Sequence, residues 1–280
     1  MCCILAISGA ASAHGFAGKR FFPATLSIDD SFVSPELDFL YDNATLPGDG
    51  GKVHASGLAV EFAKPLTRTF QLSIGADYLH LRPAGEAAAN GFDNVAVGAK
   101  YQVFIHPEAE SALAVGVDLD VGGSGSRRVG AESFSTIAPA VFYSKGFGNV
   151  SVPWLQPLAV TAQLAPTFPT RHGEPHELAG GFTLQYSLPY LEDFVKDTGL
   201  RAPFRTMIPI IEFPVRTCLD HGCSGTTTGT VNPGVMWIGR YQQLGFELTV
   251  PVNHASGTRV GFLLQYHLYL DDIIPSWSVR

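Results

Sequence analysis

The chain has 280 residues, 46% of them hydrophobic and 15% charged, and a formal net charge of −7. So few charges, against roughly 25% in soluble domains, leave too little polar surface for the shell of a cytosolic protein. The negative balance, with Lys and Arg never clustered beyond two residues, excludes the basic stripe that nucleic acid requires. No apolar run reaches the roughly 18 residues that a membrane-spanning helix needs.

The chain opens on an apolar run, Cys2-Cys3-Ile4-Leu5-Ala6-Ile7, and Ala11-Ser12-Ala13 fits the small-x-small cleavage pattern of a secretory signal. Residues 1–13 read as a signal peptide with a short apolar run and no basic segment ahead of it, which makes His14 the first mature residue. Residues 14–35 carry Gly, Pro and the stretch Ser27-Ile28-Asp29-Asp30-Ser31 with little alternation. They read as an N-terminal arm, on the periplasmic side or plugging a lumen.

From residue 36 to residue 272, segment after segment alternates large apolar residues with small or polar ones. A weak strand at 36–46 is followed by stronger ones, of which residues 113–121 are the clearest. There Leu113, Val115, Val117, Leu119 and Val121 form one parity, and Ala114, Gly116, Asp118 and Asp120 the other. Side chains of a strand point alternately to opposite faces, so each segment has one greasy face and one wet or tightly packed face. In a secreted chain this pattern predicts an all-β fold, a closed antiparallel transmembrane β-barrel whose greasy face meets lipid.

The links at 64–67, 106–109 and 240–242 are tight, and those at 83–91, 122–132 and 218–228 are longer. Short turns face the periplasm in such barrels and long loops face outward. The strand before each tight link therefore runs downward, which requires 36–46 as an upward first strand and brings the total to about twelve. An even number leaves both termini in the periplasm, with 273–280 as a C-terminal tail. Residues 190–203 break the pattern, with room for one or two helical turns at 191–196. Pro139, Pro157, Pro209, Pro233 and Pro251 oppose this reading, because proline cannot donate to a ladder and a closed barrel has no free edge. They are expected near strand ends or at bulges. A soluble β-sandwich is the competing architecture.

The inward parity carries Glu61, Asp77, Lys100, Asp118, Asp120, Glu212, Glu247 and His267, with Gln102, Gln185 and Gln265. A charge on the lipid face costs roughly 2–4 kcal/mol for Lys or Arg at mid-membrane, so these residues are expected to line a lumen. There they either bias which solutes pass, or pair with Lys100, Arg205 and the arm's Lys19 and Arg20 to fill a narrow barrel. Tyr78, Tyr101, Tyr143, Tyr186, Trp237, Tyr241 and Tyr266 mostly take the outward parity near strand ends, as interfacial girdles do.

Cys218 and Cys223 lie in a Gly- and Thr-rich loop and suit a loop-tightening disulfide in an oxidising compartment. A zinc site with His221 between them and free thiols are the alternatives. A mature His14 offers an amine and an imidazole to copper, with His172 and His176 as further ligands. No nucleophile elbow or H-E-x-x-H motif is present. Ser256 beside His254 is the nearest approach to a Ser–His pair, so the chain reads as no enzyme and calls for no cofactor.

The stretch His14-Gly15-Phe16-Ala17-Gly18-Lys19-Arg20-Phe21-Phe22-Pro23-Ala24-Thr25-Leu26 and the closing Tyr266-His267-Leu268-Tyr269-Leu270-Asp271-Asp272-Ile273-Ile274-Pro275 resemble proteobacterial outer-membrane proteins. These are similar to the barrel family named for the meta-pathway of phenol degradation. The resemblance spans nearly all of the mature chain and implies a porin-like or transporter role for small aromatic or hydrophobic solutes. It transfers no functional residues, and the ending Trp277-Ser278-Val279-Arg280 departs from the terminal aromatic of many outer-membrane barrels.

The expected function is that of an outer-membrane channel or transporter for small solutes, with membrane lipid and the solute as partners. The alternatives are a plugged structural barrel that binds a protein through its outer loops or periplasmic face, and a copper-handling surface protein.

Overall fold

The computed structural model describes residues 15–48, 50–223 and 225–277. The signal segment and His14 therefore lie outside the described residues. Twelve antiparallel strands follow one another in chain order. They are β1 (Glu36–Gly48), β2 (Gly51–Thr67), β3 (Phe70–Pro83), β4 (Val95–His106), β5 (Ser111–Val121) and β6 (Thr136–Gly146). The second half comprises β7 (Leu158–Pro169), β8 (Glu177–Tyr186), β9 (Met207–Cys218), β10 (Thr227–Ile238), β11 (Gln242–Pro251) and β12 (Gly261–Tyr269). Each strand pairs with its sequence neighbours, and β12 returns to β1, with Tyr269 opposite Glu36 and Phe262 opposite Asn43. The sheet is thus closed and has no edge. A short strand, Ala89–Phe92, folds back on the far end of β3.

Parity sorts the two faces as the alternation predicts. Ile74, Val141, Val215, Leu244 and Leu264 are exposed on the outside, while Gln71, Thr161, Thr183, Gln185, Gln243 and Gln265 are buried. Exposed apolar residues on so many strands form a belt that only lipid can cover.

Pro139, Pro166, Pro214 and Pro233 each sit where the ladder lapses on one side of their strand. Between β6 and β7 the pairing runs from Ala159–Gly146 to Leu164–Val141 and resumes at Phe168–Ile137. The register places Pro139 opposite Pro166 in that gap. Between β9 and β10 it lapses after Glu212–Asn232 and resumes at Val215–Gly229, the stretch that holds Pro214. Between β10 and β11 it lapses between Val231–Val250 and Gly234–Glu247, the stretch that holds Pro233. A residue without an N–H leaves its partner's carbonyl unpaired, so prolines gather where the ladder is already open.

The expected tight links share one mouth of the barrel with the C-terminus. The turn expected at 64–67 is shifted, because β2 continues through Pro65 to Thr67 with a register shift at that proline. Two other links at this mouth, 147–157 and 187–206, are not short. The second contains helical turns at Leu188–Tyr190 and Leu191–Val195. Each link touches the arm, through the Gln156 and Pro157 carbonyls that Arg20 bonds and the Tyr190 ring that it stacks on, while residues 151–155 and most of 196–205 are exposed.

The arm, from Gly15 to Pro35, is inside the barrel. Its first turn is pinned by Phe22 N donating to Gly15 O at 2.8 Å, with Gly15 in a positive-φ conformation. It enters at the mouth that holds the C-terminus, rises to mid-lumen near Ser27 to Asp29, and returns to the same mouth. There Leu270 N donates to Pro35 O at 3.0 Å. The apolar core lies between arm and wall. Phe22 and Phe32 of the arm pack with Ala112 and Ala159, and Leu26 packs with Ile208, Ile210 and Met236. Burying a side chain the size of Leu26 contributes about 1.5–3 kcal/mol.

Candidate functional site

The inner wall and the arm together make the site. Glu61, Lys100, Asp118 and His267 surround a cavity of about 380 Å³, together with Asp29 and Asp30 of the arm. Asp77 and Asp120 continue the same parity toward the far mouth, in register with Ala59 and Ala96. Glu212 on β9 and Glu247 on β11, with β10 between them, are both fully buried, and Glu212 meets the arm at Ser27 N. All eight positions therefore lie on the inner face. They do not form one cluster: four face the cavity, two continue toward the far mouth, and two are fully buried away from it.

Polar side chains of the wall bind the arm's backbone, which offers no secondary-structure partners of its own at mid-lumen. Glu212 Oε2 accepts from Ser27 N at 2.6 Å, and its Oε1 accepts from Thr183 Oγ1 at 3.0 Å. Gln243 donates to Ala24 O at 2.6 Å, and Gln163 accepts from Asp29 N at 3.0 Å. Gln71 accepts from Ser34 N at 2.9 Å. A buried backbone group without a partner is costly, so this complement of amides and carboxylates is what allows the arm to be buried.

The expected ion pairs are redistributed. Lys100 does not neutralise a wall acid; its Nζ lies 2.8 Å from Asp29 Oδ2 and donates to Asp30 O at 3.1 Å, both on the arm. Arg205 pairs with Asp193 at 2.8 Å in the link between β8 and β9, outside the lumen. Lys19 stands over the Phe194 ring. His267 reaches Asp38 at 3.1 Å and Glu36 at 3.6 Å, two wall acids absent from the expected set. The β12–β1 register brings them together, setting His267 opposite Asp38.

The arm's Arg20, expected to pair with an acid of the inner wall, finds an acid outside the expected set. Arg20 Nε is 3.2 Å from Glu110 Oε2, and its Nη1 donates to Pro157 O at 2.8 Å. The Arg20 guanidinium stacks 3.7 Å above the Tyr190 ring, and Tyr190 OH donates to Glu110 Oε1 at 2.8 Å. Burial, with the Glu110 carboxylate beside it, pushes the Tyr190 hydroxyl up to about 12. Glu110, Pro157 and Tyr190 come from three separate links at one mouth. No periodicity marks them, and only the φ of 45° at Glu110 sets its backbone apart.

Cys218 and Cys223 are joined by a disulfide with Cα atoms 5.8 Å apart. Neither sulfur is then free to ligate zinc with His221, so that alternative fails. His14 lies outside the described residues.

No family model matches the chain, and no curated protein matches its sequence. Solved structures do. The chain superposes on the COG4313 outer membrane channel of Pseudomonas putida F1 with a TM-score of 0.61 and 12% identity, covering 89% of this chain and 99% of that one. The β domain of the Bordetella autotransporter BrkA gives a TM-score of 0.50 and 12% identity, over 84% of this chain and 98% of that one. A KdgM porin in complex with disordered oligogalacturonate gives 0.49 and 13%, over 83% and 98%. At these identities the likeness is one of fold. With a closed wall, an apolar outer belt and twelve antiparallel strands, the chain is an outer-membrane β-barrel.

Proposed function

We propose that the protein is a channel for small solutes across the outer membrane, with a path narrowed by its own arm and biased against anions by its wall. The observation that carries this reading is the cavity of about 380 Å³ between arm and wall, bounded by Glu61, Asp118 and Asp29 with Lys100 as its cation. Carboxylates concentrated in a narrow, low-dielectric passage favour neutral and cationic solutes. The P. putida neighbour, named as a channel, supports the class of function. The resemblance to the phenol-degradation barrels points to small aromatic or hydrophobic solutes. This reading is transport rather than catalysis.

The test is single-channel recording in planar bilayers. Asp118→Asn combined with Asp120→Asn should move the cation-to-anion permeability ratio toward unity without abolishing conductance. Small aromatic solutes should exchange across vesicles that hold the barrel faster than across empty ones. Absence of conductance in the wild type, and also after deletion of residues 15–26, sinks the channel reading. It would favour the second reading, a plugged barrel that serves as a docking platform, which rests on how completely the arm's backbone is bound.

A further inference from the structure

At the mouth opposite the C-terminus, the link 170–176 meets the disulfide-closed link 219–226. The β8–β9 ladder pairs Glu177 with Cys218, and Leu219 N then donates to His176 O at 2.8 Å. His176 is thus fixed beside the turn that carries Asp220 and His221. That turn is tightened by the Cys218–Cys223 bond and by Gly225 N donating to Cys218 O at 2.8 Å. His221 adopts a φ of 53°, the left-handed region, which folds its ring back onto its neighbour Asp220.

The result is one carboxylate between two imidazoles. Asp220 Oδ2 lies 2.7 Å from His176 Nδ1, and Asp220 Oδ1 lies 2.6 Å from His221 Nδ1. Oδ1 also accepts from His176 N at 2.8 Å. The two rings are 5.6 Å apart and tilted by 58°. One ligating atom from each of the three residues lies within 4.8 Å of the others.

We propose that His176, Asp220 and His221 form a binding site for one divalent transition-metal ion of the zinc, nickel or copper class, on the outer rim of the barrel. Imidazole with a carboxylate suits these ions, whereas calcium and magnesium favour all-oxygen sets. Ligands of one tetrahedral zinc stand about 3.4 Å apart, given bonds of about 2.0–2.1 Å. The span of up to 4.8 Å therefore closes by a small movement of exposed side chains. The ion takes the place of the protons that the carboxylate now shares with the rings, and each ring moves its proton to its other nitrogen. The three side chains are 37–41% exposed, so water completes the coordination. The disulfide and the ladder fix the ligands before the ion arrives, which lowers the ordering cost of binding. The site is independent of whether the lumen conducts.

The experiment is calorimetric titration of the full, tag-free chain, folded in detergent, with zinc chloride or nickel chloride alone. These ions are used first because a mature His14 offers copper a competing site. One ion should bind per chain, and His176→Ala or His221→Ala should each weaken binding by at least about tenfold. His106→Ala, at the opposite mouth, should bind as the wild type does. Circular dichroism and heat-dependent gel mobility check that each variant is folded. Lack of saturable binding up to millimolar metal overturns the proposal, as does binding that survives both histidine replacements.

Discussion

Arg20 of the arm and Glu110 of the link between β4 and β5 are ion-paired at 3.2 Å, with side chains only 0% and 8% exposed. The pair joins the first turn of the arm to a link 90 residues away in sequence, and Tyr190 covers it from a third segment. Breaking a buried pair from one side leaves a charge without compensation and costs about 3–5 kcal/mol. Glu110→Ala should lower stability by about that amount, measured as the shift in urea unfolding of the barrel in lipid vesicles. Adding Arg20→Met to Glu110→Ala should recover part of the loss, since no orphan charge then remains. Equal destabilisation by the single and double replacements would mean that packing, not charge, holds the arm.

Tyr190 gives the same anchor a dependence on alkaline pH. An unfolded tyrosine ionises near pH 10, whereas the folded hydroxyl is pushed up to about 12 by burial and by Glu110. The folded state thus holds this proton more tightly than the unfolded chain. Its contribution is complete below about pH 10 and is lost as pH rises through about 12. Tyr190→Phe should lower stability at pH 8 by about 1.5–3 kcal/mol, the range for a hydrogen bond to a charged group. It should also flatten the decline between about pH 10 and 12. Urea midpoints across that range read both effects, and an unchanged alkaline slope in the variant would assign the decline to other groups.

The Cys218–Cys223 bond closes a loop of sequence separation 5. Chain-entropy arguments give such a short closure about 2 kcal/mol. The loop lies beyond the ends of β9 and β10, so its loss should stay local. Cys218→Ser with Cys223→Ser should speed proteolytic cutting within 219–226 while lowering the stability of the barrel, read from its urea unfolding midpoint, by no more than about 2 kcal/mol. A larger fall would mean that the loop supports the β8–β10 wall.

The barrel was legible because its physics is periodic. Leu113 to Val121 alternate strictly, and a period of two has one structural meaning. The weak first strand was also legible, though indirectly: a downward β2 needs an upward neighbour, whatever the propensity of residues 36–46. Asp118 and Lys100 could be assigned to the inner face by parity alone. Their partners could not, since Lys100 meets Asp29 only because the arm rises to mid-lumen. Glu110 and Tyr190 stand in links, where no repeat exists to read. The prolines argue against the fold only if every ladder is continuous; Pro139 opposite Pro166 removes a donor from each of two strands where neither strand bonds the other. The disulfide was legible from spacing and compartment, but the ring of His176 beside it was not. That contact depends on the register that sets Glu177 opposite Cys218.

The arm's two ends leave the barrel at a single opening. Arg20 is held there by Glu110 and the Pro157 carbonyl, and Pro35 is held there by Leu270. A hairpin inserted in this way is a stopper and not a thread. None of its described residues passes through the far mouth, and none of them takes part in the pairing of the twelve strands. The handle of such a stopper is on the same side as the chain's C-terminus. The grip on that handle is a handful of side chains, Arg20, Glu110 and Tyr190 foremost.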